Sequence, residues 1–191
     1  QRQMCIRDST DTTTMTADGP FQFLRHTLSG NKWVNADVEA ETGAGIVPFR
    51  YRRSNYVNAI QWGIGLELML LVGDPWRIYL TSDHPNGGPF TEYPRIISWL
   101  MSRKARDRVI SRINKNARRR LDLPGIDREY TLQEIACVTR AATARALGLK
   151  NKGHLGESAD ADVAIYDIDL SKINPSRDYR QVRRALRKAA Y

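Results

Sequence analysis

Apolar side chains recur along this chain at spacings that predict a series of helices and short strands. Between Asn55 and Val72, the residues Tyr56, Ile60, Ile64, Leu68 and Leu71 fall at steps of three or four. That spacing predicts an amphipathic helix with those five side chains inward. Gly63 and Gly65 lie inside it and each costs about 1 kcal/mol against alanine, so close packing must offset them. Gly73, Asp74 and Pro75 stop the helix, and Trp76 to Ser82, built around Ile78 to Leu80, predicts a short buried strand. Pro94 suits a first helical turn, with Ile96, Ile97, Leu100 and Met101 as its apolar face. A further helix is expected from about Ala105 to Leu121, burying Val109, Ile110 and Ile113, exposing most of its arginines and ending at Leu123-Pro124-Gly125. Thr131 and Glu134 form a capping box that opens a helix running to Leu147, with Gly148 as its left-handed cap. Residues 12 to 16 and Ala161 to Tyr166 read as strands, and 178 to 191 as a basic helix or frayed tail. Phe21 to Ser54 is irregular and long enough to be a lid, a binding loop or an insertion. Helix, tight turn, strand, polar loop and helix is the repeat unit of an α/β barrel or open sheet.

The candidate chemistry gathers where the strand ends. Asp83, His84, Pro85, Asn86, Gly87 and Gly88 follow the apolar run directly. In parallel α/β folds, ligands and catalytic groups collect at the carboxyl ends of strands. Asp83 therefore reads in two ways: as a metal ligand or general base, or as a turn residue whose carboxylate accepts backbone N–H groups. His84 could orient Asp83, touch a substrate, or be a solvated loop residue.

Charge changes the picture only by its location. The net charge is +9, and residues 103 to 120 hold nine basic side chains against the single acid Asp107. A second basic run lies between Lys172 and Lys188. Neither carries the interleaved aromatic residues of a nucleic-acid stacking platform, so a solvated or subunit-facing surface is the favoured meaning over a phosphate-backbone footprint. No apolar run approaches the ~20 residues needed to cross a bilayer. Cys5 and Cys137 form neither a disulfide framework nor a metal-ligand spacing, which favours a reducing, cytoplasmic setting. Residues 1–9 show no periodicity and resemble translated adapter read-through, so they are set aside as non-native.

Three segments resemble the carboxy-terminal signature of the amidohydrolase superfamily. They are Thr139 to Gly148, Gly153-His154-Leu155-Gly156, and Ala159 to Asp167. A narrower resemblance, to the A-subunit family of formylmethanofuran dehydrogenase and its bacterial counterpart in the formyltransferase/hydrolase complex, rests on several runs. These are Thr81 to Phe90 followed by Tyr93-Pro94-Arg95, Thr16 to Pro20, Gly30 to Trp33, Glu41 to Gly43, and Asn58 to Glu67.

That resemblance implies an α/β fold: the carboxy-terminal part of an amidohydrolase (β/α)8 TIM barrel plus the end of a small β-sandwich domain, forming an incomplete barrel. Residues 10–150 would be the last βα units with a long loop insertion, and 151–191 the return to the small β domain and a basic tail. It implies interconversion of formate plus methanofuran with formylmethanofuran, alongside other subunits of the complex and formate made at a tungsten or molybdenum centre in one of them. It also implies a dinuclear zinc site held by a His-x-His pair, a carboxylated lysine, two later histidines and one late Asp. Of these only the late Asp has a counterpart, Asp83, since the three histidines His26, His84 and His154 form no His-x-His. His84 and Asn86 become candidates for orienting Asp83 or binding the substrate amide. Truncation is the expected reason for the missing ligands, and the fragment alone is expected to be inactive. An amidohydrolase acting on another amide, a basic nucleic-acid-binding module and a metal-free structural subunit are the alternatives.

Overall fold

The first described helix, α1 (Tyr56–Leu71), has the limits its sequence signals require. The computed structural model describes residues 52–81 and 90–160, with Leu28, Gly30, Asp162, Val163, Ile165 and Arg184 besides. The expected strand at 12–16 and residues 1–9 lie outside these, as does all of the 178–191 tail except Arg184, which is helical and exposed. At the start of α1 the Asn55 side chain accepts from the Asn58 N–H, and Val72 closes the helix onto Leu68 O. The inward face differs from the expected one. Leu71 is 56% exposed, whereas Ala59, Ile60, Leu66, Met69 and Leu70 are buried. Nearly every position of α1 is apolar, so periodicity could not select the face. Tertiary partners did. A Cβ built at Gly63 would fall inside the Leu121 side chain, so here glycine permits the close approach that offsets its propensity cost.

A 3-10 turn at Phe90–Glu92 leads into α2 (Tyr93–Met101), with Pro94 in its first turn. Ile97, Leu100 and Met101 are buried as expected, while Ile96 is half-buried. The single long helix expected from Ala105 to Leu121 is instead two, α3 (Arg103–Ile110) and α4 (Lys115–Arg118). Ser102 caps α3 through the Ala105 N–H, and Asn114 caps α4 by accepting from the Asn116 and Ala117 N–H groups. Asn114 also donates its own N–H to Arg53 O and its side-chain amide to Ser54 O, both at 2.9 Å. Those distant bonds favour the break over a continuous helix. Ile110, Ile113, Ala117 and Leu121 still face the core, where α4 packs on α1.

Thr131 and Glu134 form the capping box of α5 (Leu132–Ala136), as expected. The helix continues through a π-turn, Cys137–Ala141, into α6 (Ala142–Ala146), and Gly148 ends it at φ +71°. Of the strand expected at Ala161 to Tyr166, the described Asp162, Val163 and Ile165 are outside any ladder and exposed, Ile165 at 88%. Among the described residues no strand runs beside them, and strand propensity alone does not make a strand.

The basic run is mostly solvated, as expected, with one instructive exception. Arg106 is fully buried. Its guanidinium donates to Trp99 O at 2.8 Å, Ile126 O at 3.0 Å and Arg128 O at 2.9 Å. It thereby joins the end of α2 to the extended segment 126–130. Burial pulls its pKa below the ordinary value, opposed by Glu129 and Asp107, and it stays charged at neutral pH. Arg128 completes the junction by donating to Leu70 O and Val72 O at the end of α1, and to Glu134. The buried Tyr130 hydroxyl donates to Met69 O, and its N–H to Leu100 O at 2.9 Å. Carbonyls at helix ends need such partners once water is excluded.

Arg106→Met should lower unfolding stability by about 3 kcal/mol, because three buried carbonyls lose a charged donor. Denaturant unfolding measures this, and a change within about 0.5 kcal/mol would mean the three bonds contribute little. Tyr130 gives a pH signature. Burial pushes its pKa up to about 12, above its ordinary value of 10.0. The neutral form is the one folding favours, so its stability contribution is whole below about pH 10 and is lost as pH rises through 12. Between those values the native chain should lose on the order of 2 kcal/mol more stability than Tyr130→Phe.

Candidate active site

Asp83, His84 and Asn86, the predicted site residues, lie outside the described residues. The structure shows what holds both ends of the segment that contains them. On one side, the strand expected at Trp76 to Ser82 does not form among the described residues, and a turn takes its start. Asp74 Oδ1 accepts from the Trp76 N–H at 3.0 Å, Asp74 O accepts from the Arg77 N–H at 3.1 Å, and Arg77 pairs with the Asp74 carboxylate. This Asx-turn diverts Trp76 and Arg77 from extended pairing. Ile78 alone of the described residues 76–81 occupies a bridge position, fully buried, and Leu80 is buried beyond it.

The Leu80 peptide is held from two directions. Its N–H donates to Val138 O at 2.8 Å, and its carbonyl accepts from the Tyr93 hydroxyl at 3.3 Å. Tyr93 opens α2 on the far side of segment 82–89, so this bond brings the two flanks together. Val138 belongs to the π-turn, in which Ala142 N–H reaches back five residues to Cys137 O. Such turns often accompany functional sites. Apolar spacing carried no sign of this one, because a single inserted residue barely disturbs the helical period. The Cys137 thiol lies 3.5 Å from Pro75 O, and burial pushes its pKa up, so it stays a protonated packing group.

The histidine of the Gly153-His154-Leu155-Gly156 signature is occupied by its own turn. Gly156 N–H donates to His154 Nδ1 at 3.1 Å, which leaves the proton on Nε2, 3.0 Å from Lys150 O. Gly153, at φ +81°, sits where a Cβ would meet Ala144, so only glycine fits. Lys152 bridges Asp160 and Asp162, whose carboxylates hold its ammonium above the ordinary value. Among the described residues no group of three or more His, Cys, Asp or Glu side chains could hold a metal ion. No helix among them is long and apolar enough to cross a membrane.

The sequence model of the amidohydrolase family matches residues 1–188. The chain belongs to the amidohydrolase family. Among other members, it is 50% identical over 183 residues to protein FwdA of Methanocaldococcus jannaschii, covering 95% of this chain and 31% of FwdA. It is 52% identical over 141 residues to the A-subunit of the formyltransferase/hydrolase complex Fhc of Methylorubrum extorquens, covering 74% of this chain and 26% of that one. The crystal structure of that organism's FhcABCD complex with methylofuran matches at a TM-score of 0.63 and 47% identity, over 75% of this chain and 24% of that one. The chain thus has an amidohydrolase fold and spans less than a third of the length of these curated relatives. The narrower resemblance read from Thr81 to Phe90 and its companion runs points to these same relatives.

Tyr93→Phe removes the bond between the two flanks of this amidohydrolase's candidate loop. It should lower unfolding stability by roughly 1 kcal/mol. Urea unfolding of the variant beside the native chain checks this, and equal midpoints would mean the bond is not formed.

Proposed function

We propose that this chain is part of the amidohydrolase subunit of a complex of the formylmethanofuran dehydrogenase or formyltransferase/hydrolase type. The subunit interconverts formate plus the amine of a methanofuran-like carrier with the corresponding formyl amide. One observation carries the reading: identity of 50% to FwdA and 52% to the Fhc A-subunit, together with the likeness to a complex crystallised with methylofuran. Residues 10–150 are assigned to the last βα units of a (β/α)8 barrel and 151–191 to the return into a small β domain. The exposure of Val163 and Ile165 fits strand residues whose neighbours lie elsewhere.

Asp83 is the residue assigned to the chemistry. A carboxylate at that position accepts a proton from the water that attacks the formyl carbon and returns it to the departing amine. Run backwards, the same transfers join formate to the amine. His84 and Asn86 are assigned to orienting Asp83 and the amide. The family's metal, proposed as dinuclear zinc, does not fit the described residues alone, which bring no donor cluster together. In a subunit of the relatives' length, the other ligands would come from parts that this chain does not span, and the chain alone would not turn over.

The test uses the full-length subunit within its complex. Asp83→Asn should lower formyl hydrolysis roughly 10²- to 10⁴-fold with the complex still assembled. Metal content measured on the same preparation separates a ligand, whose loss depletes metal, from a proton carrier, whose loss does not. The 191-residue chain in the same assay should release no formate. Near-native turnover by the variant would remove Asp83 from the mechanism.

A further inference from the structure

In an α-helix the Ala142 N–H would take the carbonyl four residues back, that of Val138. In the Cys137–Ala141 π-turn it takes Cys137 O instead. The turn thereby frees Val138 O from that donor, and this carbonyl accepts from the Leu80 N–H at 2.8 Å. The other main-chain polar group of Leu80 is held as well, its carbonyl accepting from the Tyr93 hydroxyl at 3.3 Å. The Leu80 side chain is buried, with Ile78 beside it in sequence fully buried too. Rotation of the backbone at Leu80 would break one bond or the other, so its orientation is fixed by two elements that approach it separately. Neither element is free to follow such a rotation. The far end of α2 is tied by the Tyr130 N–H to Leu100 O and by Arg106 to Trp99 O, and Pro94 beside Tyr93 is buried.

Asp83 is three residues beyond Leu80, a reach of at most about 11 Å, so the direction in which the chain leaves Leu80 limits where Asp83 can stand. We propose that Tyr93 is a positioning residue for the reaction, acting with the π-turn to aim the chain that leaves Leu80 towards Asp83. The proposal rests on the role of Asp83 as proton carrier. The Tyr93 hydroxyl does no chemistry in it and acts only through Leu80 O. A shift of about 1 Å in a reacting group can cost about 100-fold in rate, and loss of one bond with the other kept should cost less than that.

The test uses the full-length subunit in its complex, with formylmethanofuran as substrate. Tyr93→Phe should lower kcat for formate release roughly tenfold, with KM and metal content each within about twofold of native. Ser98→Ala removes a 2.6 Å bond from a buried hydroxyl to Arg95 O in the same helix without touching Leu80, and should leave kcat within about twofold. On top of Asp83→Asn, Tyr93→Phe should cost less than about twofold more, because the group it aims is already gone. Should Tyr93→Phe fail to assemble, an amide-to-ester replacement at Leu80 carries the same test. It keeps every side chain and deletes only the N–H that Val138 O accepts, and kcat should again fall with KM held. Native kcat in Tyr93→Phe or in the ester, an equal loss in Ser98→Ala, or a further tenfold loss on top of Asp83→Asn would overturn the proposal and leave Tyr93 a packing residue. Near-native turnover by Asp83→Asn alone would instead end the proton-carrier role, and this proposal with it.

Discussion

The structure depends on how the ends of α1 and α2 are satisfied in the interior. The last carbonyls of a helix have no partner within it, and here they open into packed protein. The extended segment 126–130 lies between them and supplies the donors. Arg128 takes Leu70 O and Val72 O, Tyr130 takes Met69 O with its hydroxyl and Leu100 O with its N–H, and Arg106 binds the segment itself to Trp99 O. A neutral donor lost here leaves a desolvated carbonyl, loss of the Arg128 guanidinium leaves two, and loss of the Arg106 guanidinium leaves three. Glu67 of α1 does the converse for the 3-10 turn Leu123–Gly125. Fully buried, it accepts from the Asp122 and Leu123 N–H groups at 2.6 and 2.9 Å and so fixes the 3-10 turn after α4.

These constraints reach the candidate active site through the elements they hold. The end of α1 sets where the Asp74 turn begins, and that turn delivers Ile78 and Leu80 into the core. The end of α2 is tied to the same segment 126–130, while its first residue, Tyr93, is tied to Leu80. The capping box and Arg128 secure α5, which carries the π-turn and its Val138 carbonyl to the Leu80 N–H. Both flanks of segment 82–89 are therefore placed by one hydrogen-bonded framework.

The bonds of that framework among the described residues join positions between Glu67 and Val138. Apolar side chains left outward occur both at the end of α1 and the turn after it, at Leu71 and Trp76, and beyond α6, at Leu147, Leu155, Val163 and Ile165.

Much of this was legible in the residues. Asn55 and Gly73-Asp74-Pro75 set the limits of α1 because caps and breakers act locally. Thr131 with Glu134, and Gly148, did the same for the last helix. The clustered match around Asp83 pointed to the family, although Asp83, His84 and Asn86 fall outside the described residues. Other features could not be read locally. The inward face of α1 was ambiguous because almost every side chain on it is apolar, and contact with Leu121 and segment 121–123 decided it. The break between α3 and α4 depends on Arg53 and Ser54, far away in the chain. Arg106 counted as one more surface charge until Trp99, Ile126 and Arg128 surrounded it. By itself, the sequence determined the limits of α1 and of the last helix and to which family the chain belongs, since those signals lie within a few neighbouring residues. Tertiary structure alone decided which faces and which charges go inside, because burial of a polar group is favourable only when distant partners satisfy it.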